Sequence, residues 1–132
     1  MRENLFRGLD KHYNVWRFGS LFEYSSGQAA IVTKADRYGR GDFTNEVIPE
    51  TAGQYTGLDD KNGVMIFDGD VLRDDESIVI VKFVDGGFSV DYRTIGGKWR
   101  NYSDLFDYLD DYEGEVVGNI HDNPELVEEL FH

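Results

Sequence analysis

The sequence predicts a mainly β protein built of antiparallel sheets, with two short helices near its C-terminus. Three observations carry this. Polar and apolar residues alternate with period two over long stretches: Phe88, Val90, Tyr92 and Thr94 share one side, and Ser89, Asp91 and Arg93 the other. Turn-forming residues punctuate these runs, at Asn62-Gly63, Asp68-Gly69, Asp85-Gly86-Gly87 and Gly96-Gly97. Only past Ser103 does the apolar spacing change to that of a helix.

Taken in order, residues 13–18 and 21–24 flank Gly19-Ser20 and are expected to pair across it. Residues 29–33 and 43–48 read as strands on either side of a connector. Asp60-Lys61-Asn62-Gly63 predicts a type I′ turn, since Asn and Gly both tolerate positive φ. Phe67-Asp68-Gly69-Asp70 turns the chain again before Val71-Leu72-Arg73. Residues 77–84 are apolar on both faces, as a central strand requires. Asp85-Gly86-Gly87 and Gly96-Gly97 then make a three-strand meander ending at Lys98-Trp99-Arg100, and residues 115–121 supply a closing strand. Between them, Ser103 is the expected N-cap of a helix with Leu105, Leu109 and Tyr112 on one face and Gly114 as its stop. A second helix has Asn123 as cap, Pro124 at its first position, and Leu126 and Leu130 as its apolar edge.

The 132 residues include two Pro and no Cys, and show neither linker nor internal repeat, so one domain over residues 1–132 is expected. Apolar residues make up 40%, too rich for a disordered chain even at net charge −13. No apolar run approaches the ~20 residues of a membrane helix. Nothing near Met1-Arg2-Glu3-Asn4 leads into a secretory leader, and the missing Cys excludes disulfides and thiolate chemistry; a cytoplasmic protein is expected.

The charge is uneven. Residues 103–132 hold ten acidic side chains and no Lys or Arg, whereas residues 1–102 sum to −3. Such a tail repels phosphate backbones. It reads either as a solvated face, the commoner case, or as a docking surface for a basic partner or a nucleic-acid mimic. The one basic stretch, residues 34–43, interleaves Lys34, Arg37 and Arg40 with Tyr38 and Phe43, a pattern that suits single strands. Asp36 and Asp42 blunt it, and its glycines read equally as a connector.

Sites of chemistry are sought and not assigned. His12, His121 and His132 are scattered and lack metal-ligand spacing. Asp59, Asp60, Asn62, Asp68 and Asp70 fail the calcium-loop register and read as turn residues. Lys82 has Ile80 where a nuclease site needs an acid. Ser89 sits in a strand, not in the strand-to-helix turn of a hydrolase nucleophile. Trp16, Phe18, Phe22, Tyr24, Phe83, Phe88, Tyr92 and Trp99 are expected in the core or on sheet faces, with a stacking groove as the functional alternative. No catalytic residue, cofactor or metal ligand is proposed at this level.

The segment Gly53-Gln54-Tyr55-Thr56-Gly57-Leu58-Asp59-Asp60-Lys61-Asn62-Gly63-Val64-Met65-Ile66-Phe67-Asp68-Gly69-Asp70-Val71 closely resembles the signature of the YopX protein family of phages and prophages. Residues 2–16 resemble that family's opening and residues 115–126 its close, while residues 27–51 depart from it. The resemblance implies sheets forming partial SH3-like barrels, self-association and phage origin; it implies no established activity. Within that frame Asp70 is expected to bond backbone amides at a strand entrance. The function expected is a non-enzymatic accessory protein of a bacterial host cell, acting on a host or phage protein. The alternatives are nucleic-acid binding through residues 34–40 and a hydrolase assembled around Asp68 and Asp70.

Overall fold

A computed structural model describes residues 5–33, 43–94, 100–102 and 104–128. The chain is mainly β, in antiparallel sheets with two short helices, as expected, and divides into two compact units, Met1–Tyr55 and Thr56–His132.

In the first unit β1 (Phe6–Leu9), β2 (Trp16–Glu23), β3 (Ala29–Thr33) and β4 (Phe43–Val47) form successive antiparallel neighbours, and β1 also pairs with the start of β5 (Gly53–Asp59). A 3-10 turn, Pro49–Thr51, joins β4 to β5. The end of β4 returns to β1: Ile48 N–H donates to the Leu9 carbonyl at 2.9 Å, Lys11 N–H to that of Glu46 at 3.0 Å, and Asp10 bridges Val47. One bridge is not a ladder, so this is a partial barrel rather than a closed one. Its core is Ala29, Ile31 and Val47, with Phe6 and Leu21 packed against them.

Gly19-Ser20 is not a turn. β2 runs straight through it; its first half pairs with β1 up to Gly19 and its second half with β3 from Ser20 onward. The glycine is needed because the β3 backbone approaches there: a Cβ on Gly19 would sit 2.3 Å from the Val32 carbonyl oxygen.

In the second unit the later part of β5 pairs with β6 (Met65–Phe67). β7 (Asp70–Arg73), β8 (Ser77–Val84), β9 (Gly87–Thr94), β10 (Arg100–Tyr102) and β11 (Glu115–Asn119) form a sheet in the order β10-β9-β8-β7-β11. β8 is its central strand and the β8–β9–β10 meander is present, as expected; the Gly96-Gly97 turn lies outside the described residues. The tight hairpin expected at Asp85-Gly86-Gly87 is present and is a type I′ turn, whereas the one expected at 60–63 is not. Asp85 (φ 51°) and Gly86 (φ 82°) both have positive φ and span two residues between the paired Val84 and Gly87. At 60–63 only Gly63 does (φ 81°), after a Gly63 N–H bond to the Asp60 carbonyl at 2.9 Å, which is a type I turn with a glycine bulge.

α1 (Leu105–Tyr112) lays Leu105 and Tyr108 against Ile66, Leu72, Val79, Val81 and Val90. Three details differ from expectation. The cap is Asp104, whose carboxylate accepts the Phe106 N–H at 2.8 Å; Ser103 lies outside the described residues. The inward aromatic is Tyr108, while Tyr112 is 45% exposed and stacks on it at 5.6 Å. The left-handed terminal residue is Glu113 (φ 53°, ψ 43°); Gly114 answers a different need, since a Cβ there would meet the Tyr108 hydroxyl oxygen at 2.4 Å. α2 (Pro124–Glu128) begins after Asn123, whose side-chain oxygen accepts from Asn119 N–H at 3.3 Å; Leu130 lies outside the described residues.

Gly19→Ala is expected to destabilise the fold by about 1–3 kcal/mol, because backbone must move to admit the methyl group. Gly87→Ala, where nothing lies within 4 Å of the new carbon, is expected to change stability by less than about 0.5 kcal/mol. Urea denaturation of the two variants checks the contrast.

Candidate functional site

Of the aspartates that read as turn residues, Asp59 is the last residue of β5, while Asp60, Asp68 and Asp70 serve chain reversals. Asp60 is buried; one carboxylate oxygen accepts the N–H groups of Asn62 (2.9 Å) and Val64 (3.0 Å), and the other that of Val116 at 3.0 Å. Asp70, 1% exposed, accepts from Phe67 N–H at 2.7 Å at the entrance of β7, the role expected of it. Asp68 accepts from Phe83 N–H at 3.2 Å. Each of the three thus accepts from a different stretch of backbone. Among the described residues no three His, Cys, Asp or Glu side chains are placed to hold a metal ion.

The other candidates are dispersed. His12 is exposed, 3.8 Å from a Glu46 carboxylate oxygen, and His121 is half-buried near Gly69; His132 lies outside the described residues. Lys82 pairs with Asp91 across β8 and β9. Ser89 lies inside β9, opposite Lys82, and its buried hydroxyl has no hydrogen-bond partner among the described residues. The basic residues Lys34, Arg37 and Arg40 lie outside the described residues. Of the aromatics, Phe18, Phe22 and Tyr24 stand exposed on alternate positions along β2 and beyond it; Phe22 and Tyr24 meet edge-to-face at 4.8 Å. Trp16 instead lies under the Arg7 guanidinium, 4.8 Å from its ring centre.

What the fold does concentrate is negative charge. Residues 1–55 carry seven basic and seven acidic side chains, whereas residues 56–132 carry six and nineteen; the whole net charge of −13 belongs to the second unit. With Leu105 and Tyr108 facing the core, α1 turns Asp107, Asp110 and Asp111 outward, and Glu113 is exposed at its end. Three of these stand at the helix C-terminus, where the backbone dipole already disfavours anions. Beside them is an open polar cleft of about 430 Å³, lined among others by Lys61, Arg73, Asp75 and Glu115. Lys61 pairs with Glu115 at 3.3 Å, and Arg73 lies directly across the ladder from Glu115.

Two residues that the sequence reading passed over hold α1 to this surface. Asp74 opens the turn into β8, accepting from the N–H groups of Glu76 and Ser77 (both 2.8 Å), the Ser77 hydroxyl (2.6 Å) and the Tyr108 hydroxyl (2.7 Å). Burial pulls its pKa upward, but the Ser77 and Tyr108 hydroxyls and the two amides outweigh it and hold it below the ordinary carboxylate value. Burial, and then the Asp74 charge, push the Tyr108 phenol well above its usual range. The local signal was present for half of this: an Asp followed by Ser three residues on is a side-chain-capped turn. Its Tyr partner, 34 residues away, leaves no local mark.

A depressed carboxylate stabilises the fold at pH values above its unfolded pKa of about 3.9, and that contribution is lost as pH falls through the folded value. Tyr108→Phe is therefore expected to cost about 1.5–3 kcal/mol at neutral pH, the range for a hydrogen bond to a charged group. It should also flatten the loss of stability below pH ~4. Urea denaturation of both proteins between pH 3 and 7 measures this.

The family model described as YopX protein matches residues 5–128. The crystal structure of protein EF1440 from Enterococcus faecalis is similar in fold, with TM-score 0.55 and 24% identity over 92% of this chain and 96% of that one. No curated protein matches the chain.

Proposed function

We propose that this chain, which belongs to the YopX protein family, is a non-enzymatic phage or prophage accessory protein that docks a basic protein partner on the acidic surface of its second unit. The observation that carries this is the partition of charge. The first unit is electrically balanced; the second has nineteen acids against six bases, with Asp107, Asp110, Asp111 and Glu113 exposed along and just after α1. The helix dipole disfavours anions at that helix end. An acidic surface facing a basic one speeds encounter and fixes orientation, and its effect weakens with salt.

A second reading has its own observation. Phe18, Phe22 and Tyr24 are exposed on the charge-balanced first unit, where bases of a single strand could stack. The nineteen acids of the second unit oppose any phosphate backbone, so the protein reading is preferred.

Capture from host lysate, treated with nuclease, is expected to retain basic proteins at low salt and release them as salt rises. The variant Asp107→Asn, Asp110→Asn, Asp111→Asn, Glu113→Gln should lose that capture while keeping its melting temperature. Retention that ignores both salt and the four substitutions would refute the acidic surface. A low-salt gel shift of single-stranded DNA would favour the second reading.

A further inference from the structure

A second open cleft lies at the start of α1. It has a volume of about 380 Å³ and a mixed lining, with Leu58, Phe88 and Leu105 beside Thr56, Ser89 and two aspartates. The three apolar residues pack into or against the core of the second unit, so part of its floor is built of apolar side chains. Phe88 is held by Phe83, edge-to-face at 4.9 Å. Phe106 lines the same cleft and is 61% exposed, an aromatic ring left in water at its rim. Among the described residues the ionisable ones in the lining are two acids, Asp85 from the β8–β9 turn and Asp104 from the helix cap.

That combination selects a chemistry. The apolar side chains in the floor reward a buried aliphatic or aromatic side chain, and the two carboxylates beside them reward a neighbouring cation and repel phosphate. A cleft of this volume lies at the lower end of the ~300–1,000 Å³ typical of ligand sites, room for one or two side chains rather than a cofactor. We infer that this cleft is the anchor point of the docking surface and takes an apolar side chain flanked by Arg or Lys from a protein partner. The inference rests on the protein-docking reading above and adds to it a place and a partner chemistry.

The test uses the full chain and labelled peptides read by fluorescence anisotropy: alternating Arg and Leu, alternating Arg and Ser, and alternating Glu and Leu. The Arg–Leu peptide is expected to bind about tenfold more tightly than the Arg–Ser peptide, the worth of one buried apolar side chain, and the Glu–Leu peptide not to bind. Two variants are chosen to spare the fold. Asp85→Asn keeps a residue that tolerates positive φ, and Asp104→Ser keeps a helix cap, so the double variant removes the charges alone. Phe106→Ser alters an exposed ring. Each should weaken the Arg–Leu peptide about tenfold with the melting temperature unchanged.

Arg–Leu affinity that survives both variants overturns the inference. So does equal affinity for Arg–Leu and Arg–Ser peptides, or displacement of the Arg–Leu peptide by an oligothymidylate. If both cationic peptides bind alike and only the four-carboxylate α1 variant weakens them, the cleft is refuted while acidic docking stands. If no cationic peptide binds, both are refuted.

Discussion

Backbone N–H groups at chain reversals are what this fold must satisfy, and aspartate side chains are its means of doing so. Each short connection takes several donors out of the sheet ladders, and a buried donor without an acceptor costs as much as a lost hydrogen bond. Asp10 accepts the amides of His12 and Tyr13 after β1, Asp60 those of Asn62 and Val64, Asp70 that of Phe67, and Asp74 those of Glu76 and Ser77. Asp60 also reaches the Val116 amide, 56 residues away, and so ties the turn before β6 to β11. A carboxylate receiving two or three amides keeps its charge while sheltered from water. The Tyr13 amide leads in holding Asp10 below the usual range, with the His12 amide and the Arg17 guanidinium at 2.9 Å acting against burial in the same direction.

This division of labour separates two populations of acids that a count of charges merges. One is turned inward and is architecture. The other is turned outward on α1, and Asp110, Asp111 and Glu113 stand at the unfavourable end of its helix dipole. The two halves of the chain differ accordingly, one neutral and one carrying −13.

Much of the β architecture was legible locally. Residues 29–33 and 77–84 form strands with the boundaries that their periodicity indicates, because β-branched runs bounded by turn residues have few other outcomes. That Asp60, Asp68 and Asp70 bond backbone amides at chain reversals was legible too, since Asp beside Gly is what a reversal demands. Gly19-Ser20 was misread because a glycine that turns the chain and one that admits a neighbouring backbone look alike in one dimension. The type I′ turn was placed at Asn62-Gly63 instead of Asp85-Gly86 for a related reason. Both dipeptides can adopt it, and strand register decides which loop is two residues long.

The amino-acid order alone settled what depends on near neighbours: the antiparallel β class, the limits of β3 and β8, the turn aspartates, the acidity of the last thirty residues and the YopX signature around residues 53–71. Tertiary structure alone decided what depends on distant partners. Among these are the Asp74–Tyr108 bond, the Asp60–Val116 bond, the rotation of α1 that buries Tyr108 rather than Tyr112, and the cleft lined by Phe88 and Phe106. The physical reason is range. Periodicity and turn chemistry act over a few residues, whereas a side chain's partner across the core is set by packing and register, which no short window of sequence contains.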